Sequence, residues 1–320
     1  MSIEIIEQGL HTTIQDQGRF GFQSYGIPVS GAMDDFAAKM ANLLLNNEAN
    51  LAVLEMGYVG PTLTFHQNAI IAVTGADMSA NINDQSLPMC QPVSIQAGDT
   101  LQFRTVKTGG FAYLAVKEGF DIPAILGSRS TVVRANIDGI LGRKLAVGDV
   151  LPLCQAHQLP SPLHWGLSSA LFDYIKQPNK VIRYLEGAQS DWFESDQLET
   201  RDWALSTQSN RMGYRLEGTP LEQIHEKQLL TEATAYGSIQ VPPNGLPIIL
   251  MADGQPTGGY PKIGQVVKVD LGKVSQIRPG QPFTFQKITL DDAISLLAKR
   301  EVDLKRIQTF TMEKWGEIYR

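Results

Sequence analysis

The chain has 320 residues, 43% of them hydrophobic and 19% charged, with a formal net charge of −6. That is enough apolar material for one large core or two smaller ones. The negative balance argues against nucleic acid or an anionic membrane surface as the main partner, and no apolar run approaches the roughly 20 residues that span a bilayer.

Residues 3–7 form a short apolar strand candidate. Residues 12–31 read as a long irregular segment, because Gly18, Gly21, Gly26, Gly31 and Pro28 punctuate it. Asp34 is placed to cap a helix over residues 34–46, in which Phe36, Met40, Leu43 and Leu44 recur on one face. From residue 52 to 116 the period changes to that of strands, with runs at 62–65, 69–73, 93–95, 101–103 and 111–116 separated by glycine turns. Many short strands at close spacing point to a closed or strongly curled β architecture. Residues 155–162, with Pro160 and Pro162, read as a linker, and residues 167–176 as a short helix.

The second half resumes the strand pattern at 181–186, 238–241, 248–251, 265–269 and 283–285, and residues 209–216 read as a turn into a strand with Arg211 at its mouth. Thr289 with Asp292 three residues on predicts a helix start, with Leu290, Ile294 and Leu297 on one face through about residue 299. Residues 301–320 are charged and read as a peripheral tail. The fold class expected is mainly β with a few helices, arranged as two β domains. The expected boundaries are a β-rich domain at 1–154, a linker at 155–180, a β-barrel domain at 181–288, and a helix with its tail at 289–320.

Cys90 and Cys154 lack a metal-binding or redox spacing. His11, His66, His157, His164 and His225 never approach one another at ligand spacing, so no sequence-local metal site is expected. Residues 1–8 include acidic residues and no basic stretch, so no secretory signal is expected and the cytoplasm is the expected compartment.

No nucleophile elbow, Walker loop or dinucleotide fingerprint occurs. No Ala-Met-Lys-Met-type tetrapeptide occurs either, so the chain is expected to carry no biotin of its own. What remains is a set of polar loops framed by glycine: Gln15, Asp16 and Arg19; Ser128 and Arg129 after Gly127; Asn210 and Arg211; and the stretch 252–264. The last contains Asp253, Gln255, Thr257, Tyr260 and Lys262 among four glycines and two prolines, between strand-like runs. Glycine and proline at that density forbid helix and interrupt a strand ladder, leaving backbone N–H groups available to a ligand. Lys262 follows Pro261, which fixes the local backbone. It is expected to stand unpaired in a cleft as a donor to developing negative charge, with Tyr260 and Arg211 as its catalytic companions. Gly258, Gly259, Gln255, Ser128, Arg129, Asp16 and Arg19 are the expected substrate-binding positions, if folding brings the loops together.

Thr13-Ile14-Gln15-Asp16 with Gly18-Arg19, then Gly26-Ile27-Pro28-Val29-Ser30-Gly31-Ala32-Met33-Asp34, open an ordered series of motifs. It continues with Thr74-Gly75-Ala76-Asp77, Leu126-Gly127-Ser128-Arg129-Ser130-Thr131, Ser209-Asn210-Arg211-Met212-Gly213-Tyr214 and Thr257-Gly258-Gly259-Tyr260-Pro261-Lys262-Ile263. Together these resemble the family of 5-oxoprolinase C subunits, or biotin-dependent carboxyltransferases (KipA-like; the allophanate hydrolase subunit 2 family), over residues 3–290. The resemblance implies a cyclophilin-like β-barrel and two protein partners, one the KipI-like B subunit, the other the lactam-hydrolase A subunit. It also implies ATP, used by the complex to open 5-oxoproline to L-glutamate. Two other readings come with it: the carboxyltransferase of a biotin-dependent urea or amide carboxylase, and a non-catalytic protein that binds a KipI-like kinase inhibitor. It sets no metal requirement.

Overall fold

In the computed structural model, the described residues are 2–137, 142–159, 163–224 and 227–319. Part of the expected linker (160–162) and His225 lie outside them. The described chain is mainly β, with four α-helices among these residues, and it divides into two compact units. The first comprises residues 1–19, 30–176 and 303–320; the second comprises 20–29 and 177–302.

Two antiparallel sheets build the first unit. One runs Val150–Pro152, Ser2–Glu7, Thr62–Phe65, Thr100–Gln102, Asn81–Ile82 and Gln85–Ser86 in spatial order. The other runs His11–Gln15, Val53–Gly57, Thr108–Val116, Ala69–Asp77 and Pro92–Ile95. Ile3, Ile5, Leu63 and Phe65 from the first sheet share one core with Leu54, Met56, Ile71, Val73 and Leu114 from the second. Each sheet supplies the apolar surface that the other must cover. Strand His11–Gln15 corrects the expectation that the chain is irregular from residue 12. Its residues Thr12 to Gln15 are buried on both faces, so the two-residue alternation that marks a half-buried strand is missing.

The helix Asp35–Leu44 forms as expected, with Asp34 accepting a hydrogen bond from the Ala37 N–H at 3.1 Å. Gly75 interrupts Ala69–Asp77 at φ +85°, and a Cβ there would lie 2.6 Å from the Phe111 carbonyl oxygen. The register with Thr108–Val116 slips at this point, so the glycine of the Thr-Gly-Ala-Asp motif is a requirement of the bulge.

The second unit is a closed barrel of Lys180–Glu186, Lys262–Val266, Ser238–Gln240, Ile248–Leu250, Gly213–Glu217, Trp203–Leu205 and Pro282–Lys287. Among the described barrel strands, Lys180–Glu186 and Pro282–Lys287 pair in parallel. A helix, Lys268–Ser275, follows Lys262–Val266 and corrects the expectation of a strand through residue 269. It is short and valine-bearing, which favours a strand reading, but its fixed point is tertiary. The fully buried Asp270 accepts from the Arg183 N–H and Nε, both at 2.9 Å, and from Nη2 at 2.6 Å. Tyr214, buried in the barrel, donates to the Ser275 carbonyl at 3.1 Å and ties the helix to the strands.

The last helix runs Leu290–Ile318, far past the expected end near residue 299. Its C-terminal part belongs to the first unit, which corrects the reading of 301–320 as a peripheral tail. Trp315 is 2% exposed and donates from Nε1 to the Leu44 carbonyl at 2.9 Å. Lys117 Nζ lies 4.3 Å from its ring centroid, and Trp165 meets it edge-on at 6.0 Å. Leu304, Ile307, Thr311 and Trp315 recur at helical spacing among the charges, but the groups they meet lie far back in the chain, so the segment reads as a tail in the sequence.

Trp315→Ala should destabilise the chain by about 3–5 kcal/mol, as large-to-small core substitutions do, measured as a lower midpoint in urea unfolding. A second outcome concerns Lys180, which is buried at the start of the barrel and donates to the Gln177 carbonyl at 2.9 Å. Burial, then the neighbouring Lys273 and Arg278, pulls its pKa down to about 8. Below pH 8 the folded state carries the cost of a buried charge. Between pH 8 and the ordinary lysine value the folded chain binds fewer protons than the unfolded chain, so stability rises with pH. Lys180→Met should therefore stabilise the chain most below pH 8, with the gain shrinking toward pH 10.5, read from paired unfolding curves.

Candidate functional site

The polar loops of the first unit do converge, and they converge inward. The Asp16 carboxylate accepts four hydrogen bonds: from the Gly18 N–H at 2.8 Å, Ser128 Oγ at 2.7 Å, Ser130 Oγ at 2.5 Å and the Arg129 N–H at 2.6 Å. Arg19, fully buried, donates from Nε to the Ile125 carbonyl at 2.9 Å and from Nη2 to the Ser130 carbonyl at 3.0 Å. Arg129 donates from Nε to the Ile122 carbonyl at 2.6 Å. Gln15 donates to the Thr131 carbonyl at 3.1 Å. A charged group taken out of water needs such bonds to offset its lost hydration. Asp16, Arg19 and Ser128 thus join segments more than a hundred residues apart and present little surface to a ligand, while Arg129 is half-buried.

A second buried network lies beneath the capped helix. Glu55, fully buried, accepts from the Met33 N–H at 2.7 Å and from the Tyr113 hydroxyl at 2.9 Å. The Tyr113 oxygen accepts from the Asp34 N–H at 2.7 Å, and Tyr174 donates to Asp34 at 2.6 Å. Burial, then the charges of Glu55 and Asp34, holds the Tyr113 phenol well above its ordinary value, so it remains a proton donor at neutral pH. Sequence reading missed this network because its members are scattered over 140 positions.

In the second unit the 252–264 loop is folded onto a two-stranded ribbon, Thr257–Gly258 against Glu232–Ala233. A Cβ on Gly258 would come within 2.7 Å of Gln240 Nε2, so a larger residue there would displace the Gln240 side chain. Gly259 has more room, its nearest neighbour being the Leu229 carbonyl oxygen at 3.5 Å from a built Cβ. The Gln255 carbonyl accepts from the Thr234 hydroxyl.

Lys262 is not unpaired, which corrects the expectation for it. Its Nζ donates to Glu232 at 2.8 Å and to the Ala233 carbonyl at 2.9 Å, and its N–H donates to Gln189 at 3.0 Å. Arg211 is likewise engaged: Nε and Nη2 meet the two oxygens of Asp253 at 2.8 and 3.0 Å, and the Asp253 N–H returns a bond to the Arg211 carbonyl at 2.8 Å. That pair is 6% and 10% exposed and holds the loop to the turn before Gly213–Glu217. The same physics pairs both cations. A cation packed against a protein surface recruits the nearest carboxylate, and sequence spacing does not reveal that carboxylate when it lies 30 or 42 positions away.

Tyr260 has a different setting. It is 43% exposed and lines a cavity of about 300 Å³ with Ser206, Gln208, Arg215, Glu217, Asn244, Pro247 and Ile248. Arg215 and Glu217 come from the outward face of Gly213–Glu217, whose inward residues, Tyr214 and Leu216, fill the barrel. The alternation Tyr-Arg-Leu-Glu is legible in the sequence and places both charges on one face. A further cavity of about 420 Å³ in the first unit is lined by Asp77, Ser79, Asn81, Ser86, Arg104 and Lys107. Among the described residues, no group of three or more His, Cys, Asp or Glu side chains is placed to hold a metal, and no helix is long and apolar enough to cross a membrane.

The family model for the carboxyltransferase domain, subdomain A and B, matches residues 25–287, and the chain belongs to that family. Among its relatives, the 5-oxoprolinase C subunit of Haemophilus influenzae is 38% identical over 315 residues, covering 98% of this chain and 99% of that protein. The Escherichia coli protein of the same name is 37% identical over 295 residues, covering 91% and 93%. The crystal structure of the K. lactis urea amidolyase superposes with a TM-score of 0.89 at 29% identity, over 96% of this chain and 20% of that one.

Arg211→Ala should lower stability by about 3–5 kcal/mol, because it leaves a buried carboxylate without its cation. Combining it with Asp253→Ala should recover part of the loss. Urea unfolding of the two singles and the double measures this; a fully stable Arg211→Ala variant would show that the pair does not hold the loop.

Proposed function

We propose that this chain is the C subunit of an ATP-dependent 5-oxoprolinase. It acts with the KipI-like B subunit, together with the lactam-hydrolase A subunit, to convert 5-oxoproline to L-glutamate. The observation that carries the reading is the end-to-end match to proteins of that name, 98% of this chain against 99% of the relative. The urea amidolyase match covers only a fifth of that protein's length.

The chemistry divides naturally among three chains. A lactam carbonyl is a poor electrophile. Phosphorylation of its oxygen by ATP releases ADP and makes the carbon attackable by water; cleavage of the C–N bond in the adduct leaves the acyl phosphate of glutamate, and a second water hydrolyses it to glutamate and phosphate. The glycine loop before Lys262 does not suit the triphosphate. It lacks the Walker ending, and its lysine is bound to Glu232. Nucleotide activation therefore belongs to a partner, and this chain contributes binding surface and electrostatics. The assembly is a soluble hetero-oligomer working in the cytoplasm.

A second reading, transfer of a carboxyl group from carboxybiotin to urea or another amide, is supported by the TM-score of 0.89 to the urea amidolyase. It requires a separate biotin carrier, since this chain has no biotinylation tetrapeptide.

The purified chain alone should release no glutamate from 5-oxoproline and ATP, and the three proteins together should release it with matching ADP. Glutamate release by the isolated chain would overturn the division of labour. ATP-independent carboxylation of urea from a carboxybiotin carrier, with no glutamate formed by the three proteins, would select the second reading.

A further inference from the structure

We propose that the cavity of about 300 Å³ on the outer wall of the barrel is a binding site for a small carboxylic acid bearing a planar amide. Naming 5-oxoproline as the particular acid rests on the function proposed above.

The cavity brings together polar groups that the fold does not use. Among the described residues, the Arg215 guanidinium has no ion-pair or hydrogen-bond partner; the bonds at this residue involve only its backbone. The Glu217 carboxylate and the Tyr260 hydroxyl also lack partners there. This contrasts with Lys262 and Arg211, each neutralised by a carboxylate within 3.0 Å. Asn244 uses its carbonyl oxygen to accept from the Leu246 N–H at 3.1 Å, which orients its amide and leaves the NH₂ as a donor. Gln208 adds a second amide to the lining.

Arg215 and Glu217 are two residues apart on one strand face, so opposite charges share a wall without an ion pair between them. A ligand that fits this wall offers a carboxylate to the guanidinium and an N–H to the carboxylate. A guanidinium takes a carboxylate through two parallel bonds, which fixes the acid's orientation. In a lactam acid the carboxylate and the N–H flank a single carbon, and the flat amide between them suits the half-exposed Tyr260 ring. Pro261 restricts the Tyr260 backbone to extended geometry, which limits the directions from which the ring is presented. The volume is at the small end of ligand cavities, suited to a molecule of this size and too small for a nucleotide. Urea has no carboxylate for Arg215 and is the discriminating comparison.

The test is an NMR titration of the full-length chain with 5-oxoproline, N-acetylglycine and urea, beside kinetics of the three-protein complex. The expected result is saturable binding of both acids, shifts at Tyr260, and much weaker binding of urea. Arg215→Gln, with an unchanged far-UV spectrum and melting temperature, should weaken both acids tenfold or more and raise KM for 5-oxoproline by a similar factor. Arg215→Lys should recover part of the loss. Undiminished acid binding in Arg215→Gln, or no acid binding by the wild-type chain, overturns the site. If the complex never hydrolyses 5-oxoproline while N-acetylglycine binding still depends on Arg215, the proposed function falls and the site stands.

Discussion

Closure of the seven-stranded barrel is the constraint from which the rest of the second unit follows. A barrel of this size has room inside only for its own side chains. Ile182, Tyr184, Tyr214, Leu216, Ile239, Ile249, Phe283 and Phe285 are all buried there, and the helix carrying Asp270 is drawn against it by Arg183. The interior is therefore unavailable for chemistry. Ligand recognition falls to outward-facing strand positions and to the loops between strands. A closed barrel also has no free edge, so its backbone groups do not invite the pairing that an open sheet risks. The binding surface can then stay polar without compromising the core.

The fold class was legible because period-two patterns and glycine turns report strands directly. The runs at 69–73, 111–116, 181–186 and 283–285 all lie in strands, and the cap at Asp34 begins a helix. The failures share one cause. His11–Gln15 is buried on both faces, Lys268–Ser275 is held by a carboxylate, and the final helix extends because Trp315 finds Lys117 and Trp165. In each case a contact distant in sequence overrides the local pattern. The polar loops were legible as unusual, but the direction in which their side chains point was not. Asp16 and Arg19 turn inward, and Arg211 and Lys262 meet carboxylates.

The motifs that identify the family are largely those that hold the scaffold. Asp16 ties a loop to Ser128 and Ser130, Gly75 permits a bulge, and Arg211 locks a turn to Asp253. The groups left open to a ligand, Arg215, Glu217 and Asn244, lie beside those motifs. Relatives named as a 5-oxoprolinase subunit and as urea amidolyases share this architecture, so activity is set by particular residues and not by the fold alone.

The docking of Trp315 has a consequence for synthesis. Residues 303–320 complete a unit whose remaining parts end at residue 176. On the ribosome, the barrel segment is made in between, so the first unit must wait, with the surface around Leu44 and Lys117 uncovered, for more than a hundred residues of translation. Chain order and assembly order thus differ. The barrel is the part able to finish early, while the opening sheets depend on the last helix to be written.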